Sequence, residues 1–138
     1  MEITVSQAQG PAPVTIVKPH GALDASTYKQ LIDKAQELFQ AGTRYLLLDL
    51  SALEHMSSSG IAALQTIAIL MSGEKLPDPE AGWEVFHSIQ RDMGKGVHPA
   101  LKLLSPTANV DRVLSMVGFK KILEVHTDLE AALASFVP

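Results

Sequence analysis

The sequence predicts an α/β domain built on a mixed, mostly parallel sheet of four to five strands, with about four helices. Three observations carry that expectation. Short apolar runs of strand length alternate with longer stretches of helical periodicity. Such alternation is the pattern of strands joined by crossover helices, which forces neighbouring strands to run parallel. The chain has 138 residues, 46% apolar and 19% charged, enough for one domain with a real core. A single domain over 1–138 is expected.

Ile3 to Val5 reads as a short first strand, and Gln9-Gly10-Pro11-Ala12-Pro13 as a turn. Val14 to Val17 is β-branched enough for a second strand, ended by Pro19. Tyr28, Leu31, Ile32, Ala35, Leu38 and Phe39 recur at helical spacing, with Asp24 or Ser26 as the cap and Gly42 as the stop. The strand Tyr45 to Leu50 follows, then a helix from about Ser58 to Met71 that is apolar nearly all round. Such a helix is either deeply buried or keeps one face for a partner.

Residues 73–99 read as an insertion of about twenty residues, long for a structureless connection. Asp78-Pro79-Glu80 is a helix start, and Trp83, Phe86, Ile89, Gln90 and Met93 follow at helical spacing before Gly94. Trp83 and Phe86 either fasten this segment to the domain or form a binding ridge. Leu101 to Leu104 is a short buried strand. Ser105-Pro106 then reads as a cap followed by a first-turn proline, with Val110, Val113, Leu114 and Val117 facing inward and Gly118 as the stop. A last strand, Ile122 to Val125, leads to the capping-box sequence Thr127-Asp128-Leu129-Glu130, after which Leu129, Ala132, Leu133 and Phe136 turn a final helix inward.

Several function classes are disfavoured. A net charge of −4 without a basic run argues against nucleic-acid binding. Without cysteine there are no disulfides and no thiol chemistry, which fits a reducing cytoplasm. The first residues lack a basic segment followed by an apolar stretch, and the apolar run around Ile67 to Met71 is too short to span a bilayer, so no direct membrane insertion is expected. His20, His55, His87, His98 and His126 have no metal-ligand spacing, so neither metal nor cofactor is expected. His55 flanks the serine-rich stretch, and a solvated histidine is its plain reading. Met56-Ser57-Ser58-Ser59-Gly60 lacks the first glycine of a hydrolase elbow, and Gly94-Lys95-Gly96 lacks the spacing of a phosphate loop; no catalytic residue is assigned.

The most informative stretch is Leu46 to Leu64. An apolar strand ending in Asp49-Leu50-Ser51 is followed by a polar turn, then Ser57-Ser58-Ser59-Gly60-Ile61 opens a second apolar run. Hydroxyls therefore sit where a strand hands over to a helix, beside its unpaired N–H groups. Ser57 or Ser58 is a natural cap for that helix. Upstream lies Gly21-Ala22-Leu23-Asp24. Asp24 as a helix cap and Asp49 as a strand-end turn acid are the plain structural readings.

These two motifs, in this order and separation, resemble the signature of the STAS family, the sulfate-transporter and anti-sigma-factor-antagonist domains. The resemblance spans about Val14 to Phe136 and departs at one position, where Ser57 stands for the family's Asp. It implies a bacterial, cytoplasmic, non-catalytic regulatory module of the anti-sigma factor antagonist kind. The partner would be an anti-sigma factor or related serine kinase. Ser58 matches the family's phosphoacceptor position, with Ser57 and Ser59 as fallbacks, and Asp24, Asp49, Ser57, Ser58, Ser59, Gly60 and Ile61 would form the partner-binding site. The alternative implied by the same family is a constitutive cytoplasmic subunit of a membrane transport complex, paired with a transporter ATPase.

Overall fold

In a computed structural model of the chain, residues 1–73 and 98–138 are described. The expected helix around Trp83 lies outside them. The chain runs β1 (Ile3–Gln9), β2 (Pro13–Pro19), β3 (Gly21–Leu23), α1 (Tyr28–Gln40), β4 (Leu46–Asp49), β5 (Leu53–Met56), α2 (Ser58–Met71), β6 (Leu101–Leu104), α3 (Ala108–Met116), a 3-10 turn (Phe119–Lys121), β7 (Val125–His126) and α4 (Leu129–Ser135). The main sheet has the order β1-β2-β4-β6-β7. Only β1 against β2 is antiparallel; the other pairs run parallel. β3 and β5 form a separate parallel pair.

The run Leu46-Leu47-Leu48 shows why both faces of this sheet are apolar. Successive side chains of a strand point to opposite faces. Leu46 and Leu48 join Val17, Leu101 and Leu103 under α1, α2 and α3. Leu47 joins Val14 and Leu104 against Ala132 and Phe136 of the α4 region. Phe136 also meets Tyr45 edge-on, with centroids 6.0 Å apart. Among the described residues, three helices thus cover one face, and one short helix the other.

That second face contains a buried cation. Lys102 is 3% exposed; its ammonium donates to Ser135 O at 2.9 Å, pairs with the Glu124 carboxylate and lies 5.0 Å from the Phe136 ring centroid. Burying an ammonium is tolerable only when it is paired and hydrogen-bonded in this way. The lysine ties the end of α4 to the sheet.

The structure corrects several boundaries. β1 extends to Gln9, beyond Val5, because a regular antiparallel register with β2 holds its polar half. Residues 53–56, read as a polar turn, form β5. The expected strand over Ile122–Val125 is displaced: Ile122 follows the 3-10 turn, and Val125–His126 are the residues that pair with Leu103 and Leu104. Ser105 does not cap α3. It sits at φ 48°, and the helix starts three residues later, at Ala108, behind Thr107. Asp128, not Thr127, caps α4, accepting from Ala131 N at 3.1 Å. Val117 and Leu129 are 43% and 42% exposed, so neither belongs to the inward stripes assigned to it.

Candidate partner-binding site

The Gly21–Asp24 motif and the Ser57–Gly60 motif meet through β3 and β5, whose register sets Leu23 against Met56. The Leu23 carbonyl is the joint. It accepts from Ser57 N at 2.9 Å and lies 3.4 Å from Ser57 Oγ. A Cβ placed on Gly60 would lie 2.8 Å from that oxygen and 2.7 Å from Met56 Cγ. Glycine at 60 is therefore a packing requirement: the first turn of α2 presses on β3 more closely than any side chain permits.

The three serines divide the work. Ser57 is the cap of α2, extended at φ −93°, ψ −177°, with its hydroxyl accepting from Ser59 N at 3.2 Å. Ser59 is half-buried, and Ser58, the first helical residue, is exposed. The helix beyond is buried nearly all round from Ala63 to Met71. Its accessible positions are Ser58, Ala62 and, half-buried, Ser59, Ile61 and Thr66, of which Ser58, Ala62 and Thr66 form a stripe at helical spacing. Of the two alternatives for this helix, burial holds for its second half, while its start stays open.

Asp24 does not cap α1; Thr27 holds the cap position and makes no side-chain cap bond. Asp24 instead closes the turn between β3 and α1. Its carboxylate accepts from Ser26 Oγ at 2.7 Å and from Ser26 N at 2.9 Å, while Thr27 Oγ1 donates to Ala22 O. The Ser26 hydroxyl, then the Ser26 N–H, hold the Asp24 pKa below the ordinary carboxylate value, and nearby His55 lowers it further. Asp49 closes the turn after β4, accepting from Ser51 N at 3.0 Å. The structure thus joins Asp24, Ser57, Ser58, Ser59, Gly60 and Ile61 around the β3–β5 pair. Asp49 lies at the end of the main sheet with its carboxylate committed to its own turn.

Thr107 was missed in the sequence. Its hydroxyl donates to Leu53 O at 2.8 Å, and the Asn109 amide lies 3.5 Å from Glu54 O. The start of α3 therefore braces β5 from the side opposite β3. The only local signal was a threonine at a helix start, which reads as an ordinary cap. Among the described residues no cluster of three His, Cys, Asp or Glu side chains is placed to hold a metal, and no helix is long and apolar enough to cross a membrane.

Residues 5–72 match the model of the STAS domain. No curated protein resembles the chain closely enough in sequence to count as a relative. Among solved structures, a candidate anti-sigma factor antagonist from Thermotoga maritima is 18% identical, with a TM-score of 0.68 over 94% of this chain and 90% of its own. An anti-sigma factor antagonist from Mycobacterium paratuberculosis is 18% identical, with a TM-score of 0.61 over 98% and 94%. The anti-sigma factor antagonist SpoIIAA in its unphosphorylated form is 16% identical, with a TM-score of 0.57 over 95% and 93%. At these identities the likeness is one of fold, and it agrees with the motif-level match in the first half. The residues that match the STAS model thus sit in a chain with the SpoIIAA-like arrangement of sheet and helices.

Proposed function

We propose that this chain is a non-catalytic regulatory module that binds an anti-sigma factor or related serine kinase through the start of α2, and that phosphorylation of Ser58 releases it. The observation that carries this reading is the separation of roles within the serine triplet. Ser57 spends its hydroxyl on the helix, Ser59 is half-buried, and Ser58 alone is exposed on the first turn. Asp24, Gly60 and Ile61 frame that turn, whereas Asp49 closes its own turn after β4. The SpoIIAA neighbour, described by its phosphorylation state, supports the same reading.

The energetics suit a binding switch. A phosphate on Ser58 adds about −1.5 to −2 charges beside the positive end of α2, where the fold tolerates an anion. A partner seated on Ser58, Ile61 and Ala62 would have to desolvate it. A penalty of about 3 to 4 kcal/mol weakens a complex by two to three powers of ten. The family's Asp at position 57 is a serine here. Serine and aspartate cap helices about equally well, so this exchange keeps the helix and removes one negative charge next to Ser58.

Capture of partners from native lysate by wild type, Ser58→Ala and Ser58→Asp tests the proposal. A kinase-like protein should be retained by wild type and Ser58→Ala and lost by Ser58→Asp. Equal retention by all three would refute the switch, and recovery of a transporter ATPase instead would assign the chain to a transport complex.

A further inference from the structure

The two edges of the main sheet are finished differently. β7 is two residues long, with Glu124 immediately before it and Asp128 two residues after it, the short, charged kind of edge that discourages pairing. β1 is seven residues long, and Ile3-Thr4-Val5-Ser6-Gln7-Ala8-Gln9 contains no charge and no proline. Its register with β2 runs from Ile3↔Pro19 to Gln9↔Pro13 without a bulge, and residues 4–7 are all exposed. Among the described residues, none of the usual protections of an edge strand is present.

Backbone hydrogen bonds fix which groups this edge presents. His20 N donates to Glu2 O, and Gly10 N to Ala12 O. In an antiparallel ladder those bonds put the even residues of β1 in the hydrogen-bonded pairs with β2. The N–H and C=O of Ile3, Val5, Gln7 and Gln9 therefore point away from the sheet. Thr15 N donating to Tyr45 O, on the far side of β2, follows the same alternation.

We infer that β1 is a dimerisation edge, and that its occupant is β1 of a second copy of this chain, antiparallel, with the two-fold axis between the Ser6 residues. In that register Ile3 faces Gln9 of the copy and Val5 faces Gln7, so all four outward-pointing residues on each strand fall in hydrogen-bonded pairs. Ser6 meets its own counterpart in a non-hydrogen-bonded pair, and Thr4 meets Ala8. No charge opposes a like charge anywhere along the strand. Val5, 37% exposed on the helix-covered face, gains cover. The pairing is isologous and closes on itself, joining two five-stranded sheets into one and leaving the β3–β5 site on each copy.

The chain has no cysteine, so a single introduced one reports only on its own counterpart. Across the axis, Cβ atoms at position 6 would be about 4.5–5.5 Å apart, close to disulfide distance; at position 4 the two copies would be about 13 Å apart along the strands. Under mild oxidation Ser6→Cys should cross-link to a dimer and Thr4→Cys should not. By sedimentation equilibrium the wild-type chain should reach twice the monomer mass at high micromolar concentration. Ser6→Lys and Ser6→Glu should each stay monomeric there, and their mixture should restore the dimer, which rules out simple misfolding. Wild type that stays monomeric, no cross-link at position 6, equal cross-linking at both positions, or Ser6→Lys dimerising like wild type would overturn the inference.

Discussion

The starts of α2 and α3 are both hydroxyl-bearing helix N-termini following strands, yet they do opposite things. At α2 the cap is satisfied locally by Ser57, and the next hydroxyl, Ser58, faces solvent. At α3 the cap residue makes no cap bond; Thr107 donates its hydroxyl to Leu53 O, across the chain on β5. One start leaves a group free, and the other spends its hydroxyl bracing the strand that carries the first. The difference teaches that the candidate site is held from two sides, by β3 through Leu23 and by α3 through Thr107.

The largest disruption should come from the β3 side. Gly60→Ala drives a methyl against Leu23 O and Met56, and the oxygen is backbone that cannot swing away. A loss of about 1–3 kcal/mol is expected, as for other overpacked sites, readable as a shifted urea midpoint. Next comes the α3 side. Thr107→Val keeps the shape but strands the Leu53 carbonyl, and should cost about 1–2 kcal/mol. A negligible cost there would mean the brace is incidental, and the comparison would fail. The smallest effect concerns Asp24. Its folded pKa is depressed by Ser26, so its contribution is present above the unfolded carboxylate pKa and lost as pH falls through the folded value. Asp24→Asn should flatten the acid limb of a stability-versus-pH curve and leave the neutral slope unchanged.

The legible parts of this fold were those where a side-chain pattern matches a backbone period. Leu31, Ala35 and the rest of the α1 stripe, and the alternating Leu46-Leu47-Leu48, announce their faces without any tertiary knowledge. The mixed, mostly parallel sheet followed from them. β5 was illegible because Leu53-Glu54-His55-Met56 places two exposed polar residues side by side; pairing with β3 makes it a strand. Ile122 and Leu123 misled in the other direction: they are buried and apolar, but serve packing after a tight turn. At the site, the local sequence left Ser57 and Ser58 equally able to cap α2. The Leu23 carbonyl, thirty-four residues away in sequence, holds Ser57 in that role by accepting from its N–H. Thr107 and Lys102 were missed for the same reason, because what they hold is remote in the chain.

The account rests on the helix-holding hydroxyl and the outward-facing hydroxyl belonging to adjacent but different residues. Equilibrium urea unfolding of Ser57→Ala beside Ser58→Ala tests this most directly. Ser57→Ala should lose about 1 kcal/mol, the usual cost of a removed cap, and Ser58→Ala should stay within about 0.5 kcal/mol of wild type, as for an uncommitted surface group. Equal losses in the two variants, or a larger loss at Ser58, would contradict it.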